Sequence, residues 1–266
     1  MNNAIEKELR FRMSQTVFGH DGGEADIETF FRNTYTRGSS KRTRYERLID
    51  AHLACSLERI LEIGAGAGDF SIFCKKKYPQ HEYYVSELSQ PLLTRNIVKA
   101  AKFFDTSLAG MHTHSFPAEK IPFPNEFFDQ IYIRAAVHHF DDPHQAFREI
   151  HRSLKRGGIV LFINDPVVLN IPLYKQFTKL FFCRKERARG ENENIYTLGE
   201  YFSFGASFAS RRFSVDEFYK EDFRSGVQKW HGPKKYIGIF VSRTSWLLDR
   251  YLIYRWRAAG IFEFTK

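Results

Sequence analysis

Short apolar runs alternate with helix-like segments through the middle of the chain, and this alternation constrains the fold more than any other feature. Asp142-Pro143 is typical of a helix start, and Gly157-Gly158 is expected to end the same helix. A parallel strand pair needs a crossover of this kind. The sequence therefore predicts an α/β fold with a doubly wound, mostly parallel sheet, whose ligand site lies at the carboxyl ends of the strands. The strand-like runs are 59–63, 81–86, 108–114, 128–133 and 159–163.

The segments on either side of this core predict additional elements. Residues 1–58 are polar and helix-like, with a helix start at Ser39-Ser40, and we expect them to form a wall or lid over the core at 59–165. Residues 166–212 are too long for an ordinary connection, which predicts a substrate-recognition insertion after the fifth strand. A capping box at Ser214 to Glu217 predicts a closing helix, followed within 213–243 by a hairpin around His231-Gly-Pro-Lys234. Residues 244–266 are expected to form an amphipathic helix.

Charge and cysteine content narrow the class of protein. The first 165 residues carry 22 Lys and Arg against 21 Asp and Glu, whereas residues 166–266 carry 18 against 10 together with 22 of the 43 aromatic residues. This excess predicts a C-terminal surface that meets an acidic, lipidic or planar partner. The three cysteines form no CxxC pair and are expected to be reduced and buried. No run has the ~18 apolar residues of a membrane span, and the N-terminus is charged, so we expect a cytoplasmic protein.

The glycine-rich segment Ile60-Leu-Glu-Ile-Gly-Ala-Gly-Ala-Gly-Asp69 lies where the first strand turns into the first helix. Glycines at such a turn let the backbone approach a ligand, and the helix N-terminus favours an anionic group. The spacing fits a dinucleotide site poorly, because the sixth position from Gly64 is Asp69. The same glycine spacing fits a site for S-adenosylmethionine better than a dinucleotide site. Glu87 ends the second strand, where a carboxylate accepts both ribose hydroxyls, but nicotinamide enzymes place an acid there too.

Three further segments carry a specific resemblance over residues 59–165. Residues 118–129, 131–139 and 148–158 together closely resemble the class I methyltransferases of the ubiquinone and menaquinone biosynthesis type. The resemblance implies a Rossmann-like fold of seven strands, the last two antiparallel, and S-adenosylmethionine as cofactor. It also implies a set of residues near that cofactor: Glu62, Gly64, Ala65, Gly66, Gly68, Glu87, Leu88, Ala118, Glu119 and Arg134. Pro117 departs from the family, which commonly has an Asp there for the adenine amino group.

Methyl transfer from a sulfonium is an in-line displacement, so alignment and exclusion of water supply most of the acceleration. A base is needed only when the acceptor keeps its proton. His138 and His139 follow the fourth strand, and either is a candidate base, with His138 favoured because adjacent residues rarely face one pocket. Asp165, after the fifth strand, is a further catalytic candidate.

Other polar and aromatic groups have alternative interpretations. The pair His112 and His114 lies on one strand face, but without a third ligand it predicts surface histidines, and we expect no metal site. The basic run 184–189 and the aromatic residues from Tyr196 to Phe208 either recognise an acceptor or form a solvated face and core packing. Residues 246–257 either lie on a membrane surface or a dimer partner, or pack on the sheet.

Taken together, these features predict an S-adenosylmethionine-dependent methyltransferase acting on a small molecule. The acceptor is expected to be acidic, sugar-containing or hydrophobic, and to be methylated at a hydroxyl. An RNA methyltransferase and a non-catalytic cofactor-binding domain remain the alternatives, although no RNA-binding module is recognisable. The expected partner is thus a small molecule, either free or lipid-linked, bound by a monomer or homodimer.

Overall fold

A computed structural model describes residues 25–54, 58–168, 175, 193–215, 236 and 258–266. Within these ranges, strands and helices alternate as the sequence predicts. The helices are α1 (Ala25–Tyr35), α2 (Ser40–Leu53), α3 (Asp69–Lys77), α4 (Gln90–Phe104), α5 (Pro143–Ser153) and α6 (Leu198–Phe204). The strands are β1 (Arg59–Ile63), β2 (Glu82–Ser86), β3 (Met111–His114), β4 (Phe128–Arg134), β5 (Leu154–Val168), β6 (Tyr196–Thr197), β7 (Ser210–Val215) and β8 (Ala258–Thr265).

The strands form one mostly parallel sheet in the order β3-β2-β1-β4-β5-β8-β7, with β6 pairing with β5. Strands β1 to β5 are mutually parallel, whereas β8 runs antiparallel to both β5 and β7. The order reverses between β1 and β4, and in such sheets this reversal opens a crevice at the carboxyl ends of the strands. The predicted doubly wound, mostly parallel fold is confirmed. The described residues form eight strands where seven were expected, because the two-residue β6 pairs with the end of β5, and the antiparallel final pair is formed by other residues than predicted.

Two apolar clusters cover the two faces of the sheet. One contains buried residues of α1 to α4, including Phe31, Ile49 and Phe70. The other contains residues of α5 and α6 together with the last strand, including Phe147 and Phe264. Because each face is covered by helices, the central strands are buried on both sides, which explains why β1 reads as the almost uninterrupted apolar run RILEI.

The C-terminal part differs from the prediction. Ser214 and Val215 pair with β8, so these two residues belong to a strand, and residues 258–265 form a strand where an amphipathic helix was predicted. The antiparallel pair is formed by β7 and β8, which are far apart in the sequence. The rest of the predicted closing helix, the predicted hairpin around His231 and residues 246–257 lie outside the described ranges. The capping box that does form is Thr197 with Glu200, at the start of α6. Hydrophobic partners in the sheet decide this outcome, because Phe262 and Phe264 are fully buried there.

Two predicted boundaries, the end of α5 and the start of the insertion after β5, differ from those in the structure. Helix α5 starts after Asp142 as predicted, with the Asp142 side chain accepting a hydrogen bond from the Gln145 backbone N–H, but it ends at Ser153. The residues up to Gly158 begin β5, because Leu154 pairs with Phe128. The predicted insertion at 166–212 is also partly core: β5 continues to Val168, and β6, α6 and the start of β7 follow within it.

The structure also bears on the aromatic residues, the cysteines and the apolar length of the helices. The aromatic residues Tyr201, Phe204 and Phe208 are buried core residues, which favours the packing interpretation of that series. Cys74 is a buried free thiol, and the other two cysteines lie outside the described residues. Among the described residues, no helix is long and apolar enough to span a membrane.

Candidate active site

The glycine loop joins β1 to α3 at the carboxyl edge of the sheet. Gly64, Gly66 and Gly68 all have positive φ, at 65°, 57° and 69°, a backbone conformation that residues with a side chain rarely adopt. A Cβ on Gly64 would lie 2.7 Å from the Ala136 Cβ, so the loop after β4 packs directly against this backbone. The loop is therefore a tight backbone cradle held against the β4 side of the crevice.

Glu87 lies beside this loop, immediately after β2. Its Oε2 accepts a hydrogen bond of 2.9 Å from the Gly66 backbone N–H, and its Oε1 accepts one of 3.0 Å from Leu88. The side chain is buried. A carboxylate has about four lone-pair sites, so both oxygens retain capacity for further donors such as vicinal hydroxyls.

A buried charge cluster lies beneath the loop and links it to the N-terminal helices. Arg134 Nη2 is 2.6 Å from Asp69 Oδ1, and its Nε is 3.9 Å from Glu62 Oε1. Tyr35, at the end of α1, donates a hydrogen bond to Asp69 Oδ2 and accepts one from Arg134. Burial raises the pKa of Glu62 to about 7, against the lowering effect of Arg134 and of hydrogen bonds from Ser71.

Two residues that were predicted to lie near the cofactor, Glu62 and Arg134, belong to this charge cluster. Glu62 and Arg134 lie near the glycine loop as expected, but in this structure their charged groups bind each other, Asp69 and Ser71. They hold the loop and α3 in place from below. The N-terminal helices make a second contact with the crevice where Arg44, in α2, donates a hydrogen bond to the side chain of Asn164, in the C-terminal half of β5.

The predicted adenine region has a similar structural role. Ala118 is buried in the core cluster on the α5 face. Glu119 Oε1 accepts backbone hydrogen bonds of 2.8 Å from Asp141 and 3.1 Å from Asp142, and burial raises the pKa of this carboxyl. Glu119 therefore fixes the turn before α5, and its side-chain bonds are directed to that turn.

His138, in the turn after β4, and Asp165, in the C-terminal half of β5, are brought together. The Nδ1 atom of His138 is 2.9 Å from Asp165 Oδ1. Asp165 is fully buried, and burial raises its pKa to about 8, although backbone N–H groups of residues 136–138 act in the opposite direction. The backbone next to both residues is unusual: Ala135, in the loop after β4, has φ 51°, and Asn164, where the pairing of β5 with β8 shifts register, has φ 67°. Such conformations cluster at functional sites.

His139 and Glu193 complete this side of the crevice. Glu193 Oε2 lies 3.6 Å from His139 Nδ1 and 3.8 Å from His138 Nε2, and the two imidazole ring centroids are 4.1 Å apart. The Asn194 backbone N–H donates to the His138 carbonyl oxygen, which fastens the segment containing Glu193 to the loop after β4. Both histidines thus face one acidic side chain.

Sequence reasoning identified the glycine loop, Glu87, both histidines and Asp165 as site residues, and the structure brings all of them to the carboxyl edge of the sheet. The roles of these residues in cofactor binding and catalysis stay predictions. It missed Tyr35, Arg44, Asp69 and Asn164, and also Glu193, which lies 54 residues after His139. A charged residue directly after the last loop glycine was the available signal for Asp69. The sequence contains no local signal that identifies Glu193 as a site residue.

Comparisons with known proteins agree with this geometry. Residues 61–162 match the family model described as "Methyltransferase domain". The chain is 34% identical over 117 residues to the uncharacterized methyltransferase YcgJ of Bacillus subtilis, covering 41% of this chain and 44% of that protein. It is 29% identical over 168 residues to the ubiquinone/menaquinone biosynthesis C-methyltransferase UbiE of Vibrio parahaemolyticus, covering 62% of each. The chain thus spans less than two thirds of the length of these curated relatives.

A solved structure shows the same fold. Phosphoethanolamine N-methyltransferase 2 of Haemonchus contortus, in complex with phosphomonomethylethanolamine and S-adenosylhomocysteine, superposes with a TM-score of 0.62 at 14% identity. The match covers 100% of this chain and 60% of that one. Residues 61–162 therefore carry the part of the chain that is similar to a methyltransferase domain, and the sheet order and the left-handed glycine loop with its buried acid agree with that match.

Proposed function

We propose that the protein transfers the methyl group of S-adenosylmethionine to a hydroxyl of a small-molecule acceptor. The observation that carries the proposal is the arrangement of Glu87 against the glycine loop. A buried carboxylate beside a backbone cradle with three left-handed glycines fits a ribose, while the N-terminus of α3 favours the carboxylate of an amino acid. S-adenosylmethionine carries both groups, a ribose in its middle and an amino-acid carboxylate at its methionine end.

Different residues would bind the two parts of the cofactor and keep the site rigid. Glu87 binds the ribose hydroxyls, and the backbone from Gly64 to Gly68 holds the methionine end. The charge cluster of Asp69 and Arg134 keeps this loop rigid, which preserves alignment of the reacting atoms. When bound, the cofactor supplies an electrophilic methyl group on its sulfonium sulfur.

In this proposal the acceptor binds on the β4 and β5 side of the crevice, next to His138 and His139. A hydroxyl must lose its proton during methylation, and His138, held by Asp165, is the group predicted to serve that step. UbiE is named a C-methyltransferase. Methylation at carbon is therefore the competing outcome for this chain, and the product must decide between them.

The first experiment is calorimetric titration with S-adenosylmethionine, S-adenosylhomocysteine and NAD. We expect binding of both adenosyl ligands and none of NAD. The variant Gly66→Ala should weaken binding, since Gly66 has positive φ and donates to Glu87, while Gly157→Ala is the matched control: it also has positive φ but lies in β5 with open space around it. Binding of NAD, or unchanged affinity of the Gly66→Ala variant, would refute the proposed cofactor site.

Mass spectrometry across candidate acceptors tests the transfer itself. A product methylated at oxygen supports the proposal, and one methylated at carbon refutes the assignment of the hydroxyl. Cofactor binding with no product across acidic, sugar-containing and hydrophobic acceptors would favour the non-catalytic alternative. Affinity for RNA that falls steeply with salt would favour the RNA alternative.

A further inference from the structure

His138, His139 and Glu193 bring three potential metal ligands together at the carboxyl ends of β4 and β5. One ligand atom from each side chain lies within 4.8 Å of the others. Glu193 contributes from the segment after β5, so the cluster forms only when that segment folds back onto the loop after β4. The backbone hydrogen bond from Asn194 to His138 fixes this approach at 3.0 Å.

The spacing is close to that of a coordination shell. Metal bonds to imidazole nitrogen and carboxylate oxygen are about 2.0–2.2 Å long, so two ligand atoms at a tetrahedral angle lie about 3.4 Å apart. The two distances from Glu193 Oε2 to the imidazole nitrogens are 3.6 and 3.8 Å. These two pairs exceed the tetrahedral separation by only a few tenths of an ångström, and the two histidine nitrogens, which lie within 4.8 Å of each other, would approach by side-chain rotation.

Asp165 provides a second, independent observation. Ligating histidines usually donate their other ring N–H to a carboxylate, which fixes the tautomer and orients the ring. The His138 Nδ1 atom lies 2.9 Å from the fully buried Asp165 carboxylate, and its Nε2 is the atom that faces Glu193. Among the described residues, the second oxygen of Asp165 has no hydrogen-bond partner. A carboxylate buried behind a histidine in this way matches the outer shell of a metal site.

We propose that His138, His139 and Glu193 bind one divalent first-row transition-metal ion, with Asp165 orienting His138. Two imidazoles with one carboxylate suit Zn²⁺ and its neighbours better than Mg²⁺ or Ca²⁺, which prefer oxygen ligands. Three protein ligands leave a coordination position open for an exogenous oxygen. The sequence predicts no metal site, because it does not reveal Glu193 as the third ligand.

The consequence for the reaction rests on the proposed function. An acceptor hydroxyl in the open position would lose its proton more readily, because a bound cation lowers the pKa of an oxygen ligand. His138 would then be a ligand and would no longer serve as the base: the cation would lower the pKa of the bound hydroxyl, its proton would leave to solvent water, and the oxygen would take the methyl group as the carbon–sulfur bond of the cofactor breaks.

The test uses the full chain after removal of metal with a chelator. Calorimetry with Zn²⁺, Co²⁺ and Mg²⁺ should show about one equivalent of Zn²⁺ or Co²⁺ bound per chain and much weaker Mg²⁺ binding. The visible absorption of bound Co²⁺ should report nitrogen and oxygen ligands. Asp165→Asn should lower Zn²⁺ affinity about 10–100-fold, and His139→Ala and Glu193→Gln should each lower it further.

The double variant His112→Ala/His114→Ala is the matched control, since it removes another closely spaced histidine pair, which in this structure stacks on Tyr84. It should leave Zn²⁺ affinity unchanged. Absence of Zn²⁺ and Co²⁺ binding, or equal loss in the control, overturns the proposal, as does full affinity in His139→Ala and Glu193→Gln. S-adenosylhomocysteine binding by each variant is measured in parallel, so failure of the metal site is distinguishable from failure of the proposed function.

Discussion

Replacing Gly64 by Ala adds a single methyl group at the point where the glycine loop meets the loop after β4. Two costs arise from the structure. Holding a non-glycine residue in the left-handed region, at φ 65°, costs about 1–2 kcal/mol. The new Cβ would also lie 2.7 Å from the Ala136 Cβ, and relief of such an overlap in a packed region costs about 1–3 kcal/mol. We expect a loss of about 2–5 kcal/mol in the free energy of unfolding.

Urea denaturation followed by circular dichroism measures this loss, and other glycines separate the two costs. Gly157 has φ 74°, and a Cβ added there would meet nothing within 4 Å, so Gly157→Ala should cost only the conformational part, about 1–2 kcal/mol. Gly68→Ala should be intermediate, because its Cβ would meet the flexible end of Ile97 at 3.0 Å. If Gly64→Ala is no more destabilising than Gly157→Ala, the proposed close packing of the two loops is wrong.

Three other predictions follow from contacts at and around the site. Glu87→Gln removes the charge that would receive the ribose hydroxyls, so S-adenosylhomocysteine affinity should fall at least about tenfold by calorimetry, since a charged hydrogen bond is worth about 1.5–3 kcal/mol; unchanged affinity contradicts the assignment. Asp69→Asn breaks a buried ion pair with Arg134 and should cost about 3–5 kcal/mol in urea denaturation, whereas Asp50→Asn in an exposed pair should cost under about 1 kcal/mol; equal losses would refute the difference. Burial lowers the pKa of His52 from 6.5. The unfolded chain therefore takes up its proton first as pH falls, and the stability that His52 contributes above pH 6.5 is lost on acidification. His52→Gln should flatten this dependence in denaturation at about pH 5 and about pH 7, on either side of the ordinary histidine pKa, and an unaltered slope would disprove it.

The sequence was most informative where structure depends on local pattern. The runs RILEI and EYYVS, the helix start at Asp142-Pro143 and the glycine loop all form where the pattern predicts them. Period and turn chemistry act over a few neighbouring residues, so they can be read without the fold. The loop glycines and Glu87 were predictable for the same reason.

The C-terminal elements show where local pattern is insufficient. Ser214 to Glu217 has the letters of a capping box, yet Ser214 pairs with Ile261 in the sheet. The edge of β5 offers backbone hydrogen bonds and an apolar surface to Phe262 and Phe264, and this tertiary gain outweighs the local signal. The same competition ends α5 at Ser153, because Leu154 finds a partner in β4.

The sequence by itself determined the parallel sheet and the glycine loop at the carboxyl end of its first strand, since these follow from periodicity and from glycine's freedom at positive φ. Only the tertiary structure decided that Asp69, Arg134 and Tyr35 form one buried charge cluster, and that Glu193 reaches both histidines. Those groups are 34 to 99 residues apart in the first case and at least 54 in the second. Contacts across such separations depend on how strands and loops meet in space, and no local pattern encodes them.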